Sequence, residues 1–205
     1  MATQITFFLD ESKYEFRDDE VYLCCYVRQQ VIFDRNVCCS FNYFPPLNCT
    51  GINFENCMML SIPSSISIKA FIPNLNYLAI DYSNLSTITS EDLMGFDCLR
   101  NFHILNCEIE YLPGNLFEYT PDLEVISFYC NKIKYIDEDI LEPLRNLKVF
   151  SLVGNVNIDV VYDTWNNGGF EIVTLAELKN EIKTRCSRID LKHEIDELKR
   201  KYEDI

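Results

Sequence analysis

Apolar residues recur along the middle of this chain with a period of 24. Successive blocks begin LNYLAIDYSNLSTI at Leu75, LRNFHILNCEIEYL at Leu99, LEVISFYCNKIKYI at Leu123 and LKVFSLVGNVNIDV at Leu147. Each block fits L-x-x-L-x-L-x-x-N-x-L-x-x-L when Phe, Ile or Val is accepted in place of Leu. A less regular block precedes them from Cys49. A fixed period of this length predicts an architecture in which each unit packs on the next.

This pattern is the signature of the leucine-rich repeat. Its x-x-L-x-L-x segment predicts a short strand, and strands of successive repeats stack in parallel about 4.8 Å apart. The predicted inward pairs are Leu78 with Ile80, Phe102 with Ile104, Ile126 with Phe128, and Phe150 with Leu152. The sequence therefore predicts an α/β solenoid, a leucine-rich-repeat arc with a parallel concave β-sheet.

Position nine of the repeat normally carries Asn, whose amide satisfies backbone groups where the chain turns off the strand. Asn131 and Asn155 hold this position, whereas Ser83, Cys107 and Cys57 replace it. We interpret the two cysteines as small buried hydrophobes. The asparagine ladder is therefore expected to be weaker in the N-terminal half.

A bulky apolar residue also recurs later in each block. These residues are Leu93, Phe117, Leu141 and Trp165. We expect each to fill the space beneath the convex turn, so the single tryptophan is predicted to be a core residue.

The flanking segments differ from the repeats. Residues 1–48 carry short β-type runs and dense cysteine, which predicts an N-terminal cysteine-rich β cap. Thr174, followed three residues later by Glu177, predicts the start of a helix that closes the last repeat. The predicted organisation is a cap over 1–48, five repeats over 49–74, 75–98, 99–122, 123–146 and 147–170, a C-terminal helical cap over 171–187, and a short amphipathic helix over 188–205.

The last segment has apolar residues in 4-3-4 spacing, which is a short heptad pattern. They are Leu191, Ile195, Leu198 and Tyr202. One interpretation is a helix that forms a dimer as a coiled coil, and the other is an amphipathic helix that frays.

Charge and motifs limit the classes of function. The formal net charge of −14 argues against a nucleic-acid partner, which requires clustered Lys and Arg. No apolar run reaches the length that spans a membrane. The sequence contains none of the common hydrolase, zinc-protease or nucleotide-binding motifs. We therefore expect no enzyme activity, no cofactor and no metal.

Ten cysteines give a second indication. Dense cysteine at one end of a repeat array favours disulfides and an oxidising compartment. The candidate disulfide cysteines are Cys24, Cys25, Cys38, Cys39, Cys49 and Cys186, with their pairing left open. Two sequons, at Asn48 and Asn84, are possible N-glycosylation sites.

The start of the chain gives the opposite indication about the compartment. MATQITFFLDESKYEF lacks the charged start and apolar run of a signal peptide. We expect a secreted protein whose signal peptide lies upstream of Met1. The alternative is an intracellular adaptor of the same fold with reduced cysteines.

The outward positions of the predicted strands form the concave face, which mixes aromatic, amide and charged residues in the style of a protein-binding surface. The candidate partner-binding residues are Tyr77, Asp81, Tyr82, Arg100, His103, Glu124, Tyr129 and Lys148. The expected partner is another protein bound through this face.

The layout as a whole resembles that of dipteran secreted leucine-rich-repeat proteins, including the leucine-rich immune proteins of mosquitoes, and is similar to Toll-receptor ectodomains. The features that carry the resemblance are the cysteine-rich β segment, the 24-residue repeats, a cysteine after the last repeat and the heptad helix. The resemblance implies extracellular recognition or innate-immune scaffolding through protein contacts, without catalysis.

Overall fold

The computed structural model describes residues 4–7, 9–17, 20–28, 38–41, 49–165 and 172–187, with side chains for Val27, 49–165 and 172–187. The strands are β1 Gln4–Phe7, β2 Leu9–Arg17, β3 Glu20–Arg28, β4 Cys38–Phe41, β5 Gly51–Glu55, β6 Tyr77–Asp81, β7 Asn101–Leu105, β8 Tyr111–Leu112, β9 Val125–Ser127, β10 Tyr135–Ile136, β11 Val149–Ser151, β12 Val161–Asp163 and β13 Ile172–Val173. The helices are α1 Ser65–Lys69, α2 Ser90–Leu93 and α3 Leu175–Arg185.

One sheet carries the repeat, in the order β13, β12, β11, β9, β7, β6, β5, β3, β2. Its strands from β3 to β11 run parallel, and each residue pairs with its equivalent in the next block, as Tyr77 does with Asn101 and Asn101 with Val125. Strand β8 comes after β7 in the chain, and β10 comes after β9. These two short strands pair in a second, small parallel sheet. The predicted parallel β-solenoid is confirmed.

The parallel ladder begins before Cys49. Strand β3 pairs in register with β5, so that Cys25 lies opposite Ile52 and Val27 opposite Phe54. Val27 is fully buried, as Phe54 is. Strand β2 then pairs with β3 in the antiparallel direction. Part of the segment predicted as a cap thus continues the solenoid, and its role as a cap stays a prediction.

The predicted inward pairs form the core. All eight of these side chains are fully buried. Phe102 packs edge-on against Phe128 with ring centroids 6.1 Å apart, and Phe128 lies 6.3 Å from Phe150. Phe117, from the opposite side of the solenoid, reaches Phe150 at 6.4 Å. These aromatic contacts join successive repeats through the core.

The last block departs from the repeat, and the predicted placement of Trp165 is wrong. The chain turns back after β11, and β12 pairs with β11 in the antiparallel direction. Trp165 consequently lies outside the main core, in a separate apolar cluster with Val149 and Ile172. The convex residues of the earlier blocks, Leu93, Phe117 and Leu141, are buried in the main core as predicted.

Helix α3 begins as predicted. The amide N–H of Glu177 donates to Thr174 Oγ1 at 3.2 Å, and the amide N–H of Thr174 donates to the Glu177 carboxylate at 2.7 Å. Leu178 and Ile182 are buried in the main core, together with Cys186. The heptad pattern of residues 188–205 lies outside the described residues.

Candidate functional site at the C-terminal edge of the sheet

A row of left-handed residues ends the parallel strands. Asn56, Tyr82, Asn106 and Cys130 have φ values of 54°, 48°, 50° and 51°, and Gly154 has 77°. Each directly precedes position nine of its block. Asn and Gly adopt this conformation readily, whereas Tyr and Cys do so at a cost of about 1–2 kcal/mol. The first four of these residues therefore place one side chain per block along this edge, and the fifth is a glycine.

The ladder behind this row is continuous, although its residue types vary. Asn131 Nδ2 donates to Ile104 O at 2.7 Å and to Tyr129 O at 3.3 Å, while its Oδ1 accepts from the Ile109 amide at 3.3 Å. Asn155 makes the equivalent bonds to Phe128 O at 2.8 Å and from the Ile133 amide at 3.1 Å. The predicted role of both asparagines is confirmed.

The replacements at position nine also form hydrogen bonds. Ser83 Oγ accepts from the Cys57 amide at 3.1 Å and donates to Asp81 O at 3.1 Å. The Cys57 thiol donates to Val27 O at 3.4 Å, and the Cys107 thiol donates to Leu105 O at 3.1 Å. The two cysteines are buried as predicted, and their thiols take over part of the function of the asparagine amide.

The left-handed row borders an open recess of about 650 Å³ at the edge of the sheet. Tyr82 stands on this edge with 60% of its surface exposed, and Tyr129 is 38% exposed. Asn106 Nδ2 donates to Asp81 Oδ1 at 2.9 Å, which holds one amide of the recess in place. The pKa of Tyr129 is raised, first by a hydrogen bond with Cys130, and the nearby Tyr82 contributes. The two tyrosines thus belong to one local surface.

Two predicted contact residues are not on an open surface. Tyr77 is 0% exposed and His103 is 3% exposed, and their ring centroids lie 5.1 Å apart. Both occupy outward positions on the sheet, as predicted, but this part of the concave face is covered. Tyr77 and His103 are buried in this structure, and their role as partner contacts stays a prediction.

The remaining candidates form ion pairs, one within a block and one between two blocks. Arg100 Nη2 lies 3.6 Å from Asp122 Oδ2, and Lys148 Nζ pairs with the Glu124 carboxylate. Lys148 also lies over the ring of Trp165, 5.5 Å from its centroid, which is a cation–π contact. The structure thus places Tyr82 in the lining of the edge recess. Asp81 and Tyr129 lie beside the recess, where each forms a hydrogen bond with Asn106, and the ion pairs lie elsewhere.

Asn56, Asn106 and Cys130 also line the recess, and none of them was a predicted candidate. The sequence contains a signal for them, because each directly precedes position nine and the series there includes Asn and Gly. Residues of these types in a repeating turn indicate positive φ. The positive φ turns these residues out of the inward–outward alternation that the strand residues follow.

The predicted modification sites are only partly described. Asn84 is exposed, and its Oδ1 accepts from the Met59 amide at 2.7 Å. Asn48 and the side chains of Cys24, Cys25, Cys38 and Cys39 lie outside the described residues. Cys49 is buried and donates to Gly51 O at 3.2 Å, and Cys186 is a buried thiol. Disulfides through these cysteines stay a prediction.

We expect the described thiols to react with iodoacetamide at very different rates at pH 8. Burial raises the pKa of Cys107 to about 12 and that of Cys186 to about 11, so little thiolate forms at either. Cys98 is exposed and Cys130 is half-buried, and both are free thiols. Peptide mass spectrometry is expected to show Cys98 alkylated first, Cys130 next, and the other two only after unfolding. Labelling of Cys107 as fast as Cys98 would contradict this.

No group of His, Cys, Asp or Glu side chains among the described residues is arranged to hold a metal ion. Within the same part of the chain, no helix has the length and apolar character of a membrane span.

No known protein family matches this sequence, and no curated protein matches it. Chains of solved structures do match. One of them belongs to the structure of the Toll–Spatzle complex, described as a molecular hub in Drosophila development and innate immunity. The match is 19% identical, has a TM-score of 0.43, and covers 56% of this chain and 16% of that chain.

The class of the protein follows from its own geometry. The parallel strands pair block by block, position nine forms a hydrogen-bonded ladder, and the inward pairs fill one core. The chain is a parallel β-solenoid, similar to a leucine-rich-repeat arc, with a C-terminal helix.

Proposed function

We propose that this protein is a non-catalytic protein-binding module whose contact surface centres on the edge recess. The observation that carries the proposal is the exposure of Tyr82 and Tyr129 on one edge, beside the amides of Asn56 and Asn106. Aromatic residues next to hydrogen-bonding groups are typical of the energetic centre of protein interfaces.

The backbone of Tyr82 supports the same proposal. A tyrosine with φ of 48° has an unfavourable conformation, and strained residues of this kind cluster at functional sites. Asn in the same conformation would cost less and would satisfy the fold equally well. The tyrosine therefore contributes an exposed aromatic ring at this edge at some expense of stability.

The test is a double substitution of Tyr82 and Tyr129 by alanine. We expect capture of cross-linked partners to fall at least about tenfold, because interface tyrosines often contribute about 2 kcal/mol each. Quantitative mass spectrometry of the captured proteins measures the change. The thermal midpoint should change little, since both side chains are exposed.

The matched control for this experiment is Tyr119→Ala. Tyr119 is 43% exposed but lies on the opposite side of the solenoid, next to Glu118. We expect its removal to leave capture unchanged. If the double variant captures partners as well as the unaltered protein does, the recess is not the contact surface.

The proposal includes an extracellular role in recognition or innate-immune scaffolding, with an intracellular adaptor as the alternative. The free thiols at Cys98 and Cys130 are compatible with a reducing compartment, whereas the dense cysteine of residues 24–57 favours an oxidising one. A thiol count on the native protein under non-reducing conditions separates them. Ten reactive thiols after unfolding would exclude the secreted form.

A further inference from the structure

A groove of about 720 Å³ runs along the flank of the solenoid between two consecutive blocks. One wall is residues 86–91, and the other is residues 108–115. Asn115 Nδ2 donates to Ser90 Oγ at 3.4 Å and links the two walls. The groove adjoins the edge recess, because Glu108 and Lys132 line both.

The groove occupies a place where the repeat would pair two strands. In the next pair of blocks, Lys134 N donates to Glu110 O at 2.9 Å, and β10 pairs in parallel with β8. The equivalent bond would join Glu110 N to Ser86 O, and it is absent among the described residues. Only the first bond of the series, from Glu108 N to Leu85 O at 2.9 Å, is kept. The walls therefore separate after this point.

The sequence explains why the walls do not pair. At the next position of the ladder Asp137 N donates to Leu112 O at 3.1 Å, but the equivalent residue one block earlier is Pro113, which has no N–H. On the other wall, Thr89 is the N-cap of α2 directly after Ile88, and the Thr89 amide donates to the Asp92 carboxylate at 2.8 Å. Both departures leave backbone groups facing the gap.

Three backbone groups along this gap lack a backbone partner, as the groups at a sheet edge do. Glu110 N on one wall, and Ser86 O and Ile88 O on the other, make no backbone hydrogen bond within the described part of the chain. Such edges accept an added strand, which supplies the missing main-chain bonds. Tyr111 lies on the same wall and is held by a hydrogen bond from its hydroxyl to the Asp137 carboxylate.

We propose that the groove binds an extended peptide segment of a partner protein, paired through its main chain and carrying lysine or arginine. Three exposed carboxylates, those of Glu91, Glu108 and Glu110, line the groove. Lys132 pairs with Glu108 and Lys134 with Glu110, but both ion pairs are exposed to solvent and therefore weak. The carboxylates outnumber these lysines, so the charge of the walls favours a basic segment. The volume is within the range of pockets that enclose a ligand of several residues. This site is separate from the tyrosines of the edge recess.

The test uses the full chain and three fluorescein-labelled hexapeptides. The first alternates valine and lysine, the second alternates valine and glutamate, and the third is the lysine peptide with alternate amides N-methylated. We expect the lysine peptide to bind with a Kd of about 10–100 μM by fluorescence anisotropy. N-methylation is expected to weaken binding at least about tenfold, because it removes main-chain donors. The glutamate peptide is expected to bind at least as weakly as the N-methylated one.

Variants assign the binding to the groove. Thr87→Trp fills the groove and Glu91→Lys reverses its charge, and both are expected to weaken binding at least about tenfold. Glu142→Lys makes the same charge change at an exposed position outside the groove and is expected to leave binding unchanged. An equal loss in Glu142→Lys and Glu91→Lys, or equal binding of the N-methylated peptide, would overturn the proposal.

Hydrogen exchange gives an independent readout of the groove itself. In the free chain we expect the Glu110 amide to exchange fast and the Lys134 amide, which is bonded to Glu110 O, to exchange slowly. Saturation with the lysine peptide is expected to slow exchange at Glu110. Protection of Glu110 before any peptide is added would show that the chain or a second copy already fills the groove. That result, or no binding at millimolar peptide, would reject the proposal.

Discussion

Replacing Phe128 by alanine is expected to lower the free energy of unfolding by about 3–5 kcal/mol, the usual range for a fully buried phenylalanine. Phe128 is 0% exposed and contacts the rings of Phe102 and Phe150 in the blocks on either side. The substitution removes both contacts and leaves a cavity between repeats. Because each repeat contacts only its neighbours, the loss cannot be shared with distant blocks. Urea unfolding followed by circular dichroism measures the change.

Tyr119→Ala provides the control, since it also removes an aromatic ring but from an exposed position. We expect it to change the free energy of unfolding by less than about 0.5 kcal/mol. If Phe128→Ala lowered stability by less than about 1 kcal/mol, the ring would not be an inter-repeat core residue. A smaller m-value in the variant would indicate that the solenoid unfolds in two parts.

The core could be predicted from the sequence because apolar residues recur at the same positions of every block. Each inward pair occurs at the same two positions of every block, so an error in one block is corrected by the others. The same redundancy identified Asn131 and Asn155, whose amides bond to two neighbouring segments. Features that follow from the period alone could therefore be predicted from the sequence.

The last block could not be predicted in this way, because the segment after it does not repeat the pattern. Val149 and Phe150 still pair with β9 in register. The amide of Leu152 then donates to Val160 O at 2.9 Å, and the chain turns back to form β12. Trp165 keeps the spacing of a convex core residue but packs over the sheet with Val149. The spacing of apolar residues therefore continues in the sequence beyond the point where the repeating fold ends.

The exposure of side chains on the concave face was the second feature that the sequence could not predict. Period-two alternation shows which side of the sheet a residue faces, and Tyr77 and His103 do face outward. It contains no information about what lies over that side. Exposure of Tyr82 was predicted, but its physical cause is the left-handed backbone, which turns the residue out of the strand alternation. The edge recess and the flank groove both arise where the repeat departs from ideal geometry.

The second large effect on stability is expected in the hydrogen-bond ladder at position nine. Asn131→Ala is expected to lower the free energy of unfolding by about 2–4 kcal/mol, because it leaves buried backbone groups without partners. The Asn131 side chain bonds to Ile104 O, Tyr129 O and the Ile109 amide, and the residue is 6% exposed. Alanine removes the partner of Ile104 O and of the Ile109 amide, whereas Tyr129 O keeps its bond from the Asn106 amide at 3.0 Å. Thermal and urea unfolding measure the change.

The matched control is Asn146→Ala, which removes the same side chain from the surface. Asn146 Nδ2 donates to Asp122 Oδ1 at 3.1 Å, and both groups are accessible to water after the substitution. We expect a change within about 0.5 kcal/mol. Cys107→Ala is expected to fall between the two, because its thiol donates to Leu105 O but is a weaker hydrogen-bonding group than the asparagine amide. If Asn131→Ala cost no more than Cys107→Ala, the amide at position nine would act as a spacer, and the ladder would contribute little to the joining of the repeats.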